Sequence, residues 1–420
     1  MTSTASPSSS PERVFGWREH TALRFSLGVG LLVMQVGAYL VPAMGTRDAA
    51  LAVVGGSILG AGLLAWVAWL GCTSGQTSAG LIRTAYGQGF ARLPILLNVV
   101  QLLGWATFEL VVMRDGTRAI GQQAFGLDPG LVAPTLLWGA IVLLLLRGSM
   151  LTLVRRIVSR VGLPLVVLSL LWLSVQFGLR LQASGLDALW QRAGDGSMNG
   201  FQALDLVIAM PVSWLPLVAD YARHGKSGRS ALGGTWLGYT IANIWCYGLG
   251  VLVITAVGPG TDMVGALLLA QGGLIALGLI LVDELDNTYG DLYSGSVSAH
   301  SLHGGLSLRA WGTLLAVVSI AFALVLPMHQ LEPFLLMLSS VFVPLFGTIL
   351  GRLGIQPARL GQAPRLVHAG PAAIWVLGIV LYHALAQWAP QYGSALPTLA
   401  VTFVLGALSA RTGMRGAQPA

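Results

Sequence analysis

Charge is what this sequence has least of: only 9% of its 420 residues are Asp, Glu, Lys or Arg, against about 25% in an average globular domain. So few charges cannot cover a water-exposed surface, which excludes a soluble enzyme. Cysteine is nearly as scarce. Cys72 and Cys246 lie in or beside apolar runs without metal-ligand spacing, and read as small apolar fillers that say nothing of redox compartment. No pair among the seven histidines has the HExxH spacing of a zinc protease. There is no Walker loop, so any transport must draw on an ion gradient. The opening MTSTASPSSSPERVFGWREH lacks the basic-then-apolar order of a signal peptide, and residues 1–21 are expected to form a disordered cytoplasmic tail.

What fills the chain instead is apolar. Hydrophobic residues make up 55% and the mean hydropathy is +0.75. They fall in recurrent runs of roughly 18 to 28 residues, each able to cross a ~30 Å hydrocarbon core as helix at 1.5 Å per residue. Twelve spans are expected, at 22–44, 49–72, 92–115, 131–148, 159–182, 201–221, 232–257, 263–290, 309–327, 333–353, 369–388 and 394–411. The fold class is therefore all-α integral membrane. An even number of spans puts both termini on one side. Of the 23 Lys and Arg, only Arg47, Arg114, Arg118, Arg180 and Arg192 fall on the other side, so the tails and the Arg147 to Arg160 loop are expected in the cytoplasm. Scattered in short loops, these basic residues give no nucleic-acid signature.

Glycine is plentiful, and Gly56 to Gly60 and Gly234 to Gly238 both carry the GxxxG spacing of close helix contacts. The first and sixth spans combine glycine or proline with polar residues, SLGVGLLVMQVGAYLVPAMG and LDLVIAMPVSWLPLVADYAR. Backbone groups freed inside a membrane are tolerable only where they line a protein-buried cavity. Interruptions five spans apart are the mark of an inverted-repeat secondary transporter with a midplane site. Ten helices at 22–353 would form its core. A cytoplasmic linker at 354–368, an accessory pair at 369–411 and a tail at 412–420 complete the expected organisation.

Intramembrane acids are functional candidates by default, because a carboxylate there needs a cavity or a partner. In the third span Gln101, Trp105 and Glu109 follow one another at spacings of four and share a helical face, with Asn98 on the same stripe. An indole one turn from a carboxylate suits a flat, polar ring, which stacks on the one and is held at its edge by the other. Glu109 could instead pair with Arg114 or Arg118. In the eighth span Glu284, Asn287 and Asp291 share a face, with Asp283 and Asp286 beside it. Asp283, Glu284, Asp286 and Asp291 cannot all be buried and ionised together. That crowding suits coupling to Na⁺ or H⁺. Alternatively the helix ends early and the later acids lie in a solvated loop. An intramembrane enzyme would need a nucleophile with an oriented base or a metal triad, and neither is seen.

Two motifs carry a family resemblance. SWLPLVADYAR, Ser213 to Arg223, resembles the SW…DY/F-x-R signature closing helix 6 in the nucleobase:cation symporter-1 family, which includes cytosine permeases and allantoin and hydantoin transporters. DLYSGSVS, Asp291 to Ser298, resembles the stretch after the helix 8 site of cytosine permeases and, more closely, of hydroxymethylpyrimidine transporters. The resemblance implies a leucine-transporter-like five-plus-five inverted repeat with broken helices 1 and 6. It also implies a ligand between helices 1, 3, 6 and 8. Trp105 would stack on the ring and Glu109 would read its edge, with Asn287 and Asp291 on helix 8 and Gln35 as a looser match on helix 1. Trp214 would be a second platform. A sodium site between helices 1 and 8 is common in the family; here that region offers Asp286, Asn287 and Thr288, with Asp283 nearby. The implied function is cation-coupled import of a pyrimidine-type heterocycle at the cell membrane, without organic cofactor or obligate protein partner. Hydroxymethylpyrimidine, the thiamine precursor, is the expected substrate; the alternatives are a cytosine or other nucleobase permease, or a small-solute or amino-acid transporter of the same architecture.

Overall fold

The computed structural model describes residues 11–148, 161–182, 185, 190–258, 260–357, 360 and 365–415. The expected cytoplasmic loop between Arg147 and Arg160 and the outermost tail residues lie largely outside that set. Among the described residues the chain is helical, with one isolated backbone bridge between Phe15 and Gly225.

The first span is two helices, α1 (Trp17–Ser26) and α2 (Leu31–Tyr39), bent by 63° at the break. Then come α3 (Thr46–Ser74), the short α4 (Ser78–Tyr86), α5 (Arg92–Phe125), α6 (Val132–Leu145) and α7 (Leu163–Gln182). The sixth span is α8 (Gly200–Ser213) and α9 (Leu215–Ala222), interrupted at Trp214 with Pro216 in the next turn. The rest are α10 (Gly228–Val257), α11 (Met263–Leu268), α12 (Gly273–Leu302), α13 (Leu308–Val325), α14 (Leu331–Ile349) with a π turn Leu350–Gly354, α15 (Ala369–Trp388) and α16 (Ala395–Arg415).

Among the described residues eight helical stretches, one of them α8 and α9 together, are long and apolar enough to cross a membrane, and the bent pair α1–α2 makes a ninth. α6 and α16 are apolar but shorter, and the 30-residue α12 carries four acids. With these three the order agrees with the twelve spans of the sequence, and the chain is a multi-pass membrane protein.

Three boundaries differ from expectation. The eighth span does not run from 263 to 290: Gly272, at φ 71°, separates the short α11 from α12. α12 then continues to Leu302, because its acids point into the protein rather than into a loop. α5 outruns 115 by ten residues. Its Arg114 stays inside the bundle by donating Nη1 to the Ala323 carbonyl at 2.6 Å. Residues 14–21, expected in a disordered tail, are ordered, and α1 starts at Trp17. There Val14 and Phe15 donate their N–H groups to the His224 carbonyl at 2.9 and 3.0 Å, and Lys226 N–H returns to the Phe15 carbonyl at 2.8 Å.

The GxxxG pairs are reciprocal seats for the broken helices. On α3, a Cβ at Gly56 would lie 2.6 Å from Val207 of α8, and one at Gly60 would collide with Pro211. On α10, a Cβ at Gly234 would lie 2.7 Å from the Trp17 carbonyl of α1, and one at Gly238 would collide with the Thr21 carbonyl. Each interrupted span is thus packed backbone-close on a neighbour from the other half, through dispersion contacts that lipid cannot replace.

Candidate functional site

The break in the first span leaves helical order between Leu27 and Gly30, exposing the first N–H groups of α2 and a carbonyl of the break itself. α12 answers both. Leu31 N–H donates to Glu284 Oε1 at 2.7 Å. Asn287 Nδ2 donates to the Val29 carbonyl at 3.1 Å and to Glu284 Oε2 at 3.2 Å. A carboxylate at a helix N-terminus is also favoured by the helix dipole. Gly30 makes the approach possible, since a Cβ there would sit 2.9 Å from Glu284 Oε1.

α5 serves the other break. Gln101 Nε2 donates to the Ser213 carbonyl at 3.0 Å, and Asn98 Nδ2 to the Pro216 carbonyl at 3.1 Å. Asn98 Nδ2 also reaches Ser298 Oγ of α12 at 3.0 Å. Both interruptions are therefore held by amide or carboxylate side chains of the α5–α12 pair.

Between them lies the stripe read from the sequence. Trp105 and Glu109 are 5% and 3% exposed, and Asp291 is 1% exposed. Glu109 neighbours Asp291 and Thr288 of α12. Neither arginine considered as its partner is available: Arg114 Nε binds Asp115 at 2.7 Å, and Arg118 binds Asp128 at 2.7 Å. In the loop after α5, Arg118 and the Gly130 N–H hold the Asp128 carboxyl down to about 2. Trp105 packs against Phe108 and Phe334, with ring centroids 6.1 and 5.2 Å away. Phe334 comes from α14 and nests over Gly104, where a Cβ would stand 3.0 Å from its Cζ. The Trp214 ring approaches α12 at Gly290.

Trp105 Nε1, Gln101 Oε1, Glu109 Oε2, Asn287 Oδ1 and Asp291 Oδ2 are all buried without a hydrogen-bond partner. Leaving one such group unmet costs about 1–3 kcal/mol. Four of these five unmet atoms on α5 and α12 are acceptors and one is a donor.

The remaining acids of α12 face elsewhere. Ser26, the last residue of α1, donates Oγ to Asp283 Oδ1 at 3.0 Å and also reaches Asp286. The three line a cavity of about 140 Å³ together with apolar residues of α6, α7 and α12. Asp283 Oδ2 and Asp286 Oδ2 have no partner. Arg24 is wholly buried one turn away; its Nη2 donates to the Val218 carbonyl of α9 at 3.2 Å, and its guanidinium lies 5.4 Å from the Tyr221 ring centroid. Among the described residues no three His, Cys, Asp or Glu group as a metal site.

Two placements expected from the sequence are not found. Asp286 and Thr288 do not meet at one ion site, because two residues on a continuous helix point about 200° apart. Thr288 turns to Glu109 and donates Oγ1 to the Glu284 carbonyl at 2.9 Å. Gln35 is not beside Trp105; the 63° bend carries it into a vestibule lined with Phe108 and Val111, where it donates to Tyr39 Oη at 2.6 Å. Ser26, Phe108 and Phe334 enter the site without a sequence signal. Nothing in the pattern singles them out, although Arg24 is conspicuous as a charge inside an apolar span.

No family model and no curated protein matches this sequence. Solved structures do. The chain resembles Mhp1, a nucleobase-cation-symport-1 family transporter, in a closed conformation with bromovinylhydantoin bound: TM-score 0.82 at 14% identity, over 98% of this chain and 95% of that one. Against the inward-facing conformation of Mhp1 the TM-score is 0.77 at 16% identity, over 99% and 95%. A Na⁺-coupled sialic acid symporter in a substrate-bound outward-open state gives 0.64 at 11% identity, over 97% and 91%. At these identities the likeness establishes the fold: a leucine-transporter-like, all-helical inverted repeat with interrupted first and sixth helices. These neighbours are membrane transporters.

Proposed function

We propose that this protein is a cation-coupled secondary transporter that imports a pyrimidine-type heterocycle by alternating access, with 4-amino-5-hydroxymethyl-2-methylpyrimidine as the preferred substrate. The observation that carries the reading is the facing of Glu109 and Asp291 beside Trp105, with oxygens left unmet in a buried site. An acceptor-rich edge favours a ring that brings an amino donor beside a ring nitrogen. It disfavours uracil, whose carbonyls would face carboxylates. Asn287 and Trp214 belong to the same site by this reading, Gln101 through its free Oε1, and Gln35 guards the approach from the vestibule.

The coupling cation, Na⁺ or H⁺, is assigned to Asp283 and Asp286 with Ser26, where hard oxygen ligands border the break in the first span. Thr288 would act from the substrate face. Residues 22–353 would form the transport core, with 354–368 linking it to the accessory helices of 369–411. Both termini would face the cytoplasm from the cell membrane. No organic cofactor or obligate protein partner is required.

A cytosine or other nucleobase permease is the second reading, since the Trp105 plate would stack any such ring. An amino-acid carrier fits less well, because its ligand's carboxylate would meet Glu109. Competition uptake in cells expressing the chain decides: the labelled aminopyrimidine should be displaced by cytosine weakly and by uracil hardly at all. Uracil competing as well as the aminopyrimidine would refute the carboxylate-reading mechanism.

A further inference from the structure

α5 and α12 pack against each other, and three contacts fix their register. Asn98 Nδ2 meets Ser298 Oγ at 3.0 Å. A Cβ at Gly295 would lie 3.8 Å from the Leu102 Cβ, and one at Gly116 would lie 2.7 Å from Leu281. The two helices therefore run antiparallel, and this register brings Glu109 opposite Thr288, with Asp291 one turn further along α12. Trp105 and Glu109 on one helix thus face Asn287 and Asp291 on the other.

No cation serves the two carboxyls. Arg114 and Arg118 are engaged with Asp115 and Asp128, and Arg24 of α1 with the Val218 carbonyl and Tyr221 ring of α9. The further charged groups that reach the pair are acids of α12, Glu284 and Asp286. Tyr293 of α12 turns to Tyr221, with Tyr289 stacked on it. α6 and α11 carry no titratable residue, and Arg309 of α13 and Glu332 of α14 stand in their first turns. Neighbouring carboxyls in such a place cannot both be ionised, and one proton between them relieves the repulsion. Glu109 Oε2 and Asp291 Oδ2 remain unmet, as do Trp105 Nε1 and Asn287 Oδ1, all on side chains more than nine-tenths buried.

We propose that Glu109 and Asp291 share one proton in the empty site and pass it to the ring nitrogen of the substrate, which is then held as a cation. The O–H bond of the pair breaks as the ring N–H bond forms. Both carboxylates then accept charge-assisted bonds, one from that N–H and one from the adjacent amino group. Selection follows from ring basicity: a 4-aminopyrimidine with an electron-donating methyl group ranks above cytosine, and uracil has no basic ring nitrogen to take the proton. The identity of the ring rests on the transport reading above, whereas the shared proton does not. This proton is additional to the cation assigned to Asp283 and Asp286.

Two measurements on the purified full chain in lipid nanodiscs at neutral pH test the two parts. Infrared difference spectra without ligand should show that Glu109→Gln and Asp291→Asn each remove one protonated-carboxyl C=O band, because losing either partner lets the other ionise. The double variant should remove no more than either single one. A band retained in either single variant, or an additive loss in the double, would overturn the shared proton. Calorimetry then compares 4-amino-5-hydroxymethyl-2-methylpyrimidine with its 2-trifluoromethyl analogue, whose ring nitrogen is far less basic. The parent should favour the methyl compound by at least about tenfold, and the double variant should bind both within about threefold of each other. Equal affinities in the parent would overturn the proton transfer while leaving the ring as substrate. Failure of both rings to bind would remove the substrate assignment and the transfer together, with the infrared bands still deciding the shared proton.

Discussion

The backbone N–H of Leu31 and the carboxyl of Glu284 are 2.7 Å apart, although 253 residues separate them in the chain. Through this bond α12 supplies the N-terminal cap that α2, beginning after a glycine, cannot make for itself. The interruption of the first span is therefore a feature of the α2–α12 contact as much as of its own sequence.

Glu284→Ala should lower the melting temperature of the purified protein and impair uptake, because a hydrogen bond to a charged group contributes about 1.5–3 kcal/mol. Glu284→Gln retains an acceptor for Leu31 and should recover most of the stability. A thermal-unfolding series of the three proteins checks this, and an alanine variant as stable as the parent would contradict the capping role.

Trp105 and Glu109 should fail in different ways. Trp105→Ala removes the stacking surface and should weaken every ring ligand alike, by about tenfold. Glu109→Gln should instead narrow the discrimination between the aminopyrimidine and uracil while keeping the plate. Inhibition constants from competition uptake separate a uniform loss from a selective one.

Asp286→Ala should abolish accumulation against a gradient yet leave substrate binding measurable, because Asp286 faces Ser26 and Arg24 rather than Trp105. Uptake with imposed Na⁺ and proton gradients, alongside equilibrium binding, tests the split. Unchanged accumulation would remove Asp286 from the coupling site.

A reporter fused after Arg415 should be active only in a cytoplasm-reporting format. Activity in the opposite format would mean an odd number of crossings.

What the sequence discloses follows from how far each inference has to reach along the chain. The Gln101, Trp105, Glu109 stripe rests on the helical repeat alone, so four-residue spacing is enough to place it. The two GxxxG pairs are legible as close contacts, but not their occupants, since which helix lies on Gly60 or Gly238 is decided by packing across the bundle. Gln35 departs from its expected place because a 63° bend resets the helical phase beyond Gly30. Asp286 and Thr288 part because the helix rotates between residues two apart. Phe334 reaches Trp105 from more than two hundred residues away, a contact that no local pattern encodes.

The backbone pairing of Val14 and Phe15 with His224 and Lys226 joins the segment before α1 to the segment after α9. These are the start of α1 and the end of α9, so the protein has spliced one half-helix of each interrupted span into one mechanical part. Neither can swing away alone without tearing three main-chain hydrogen bonds. Any opening of that side must carry both together, with the flexing left to residues 27–30 and to Trp214.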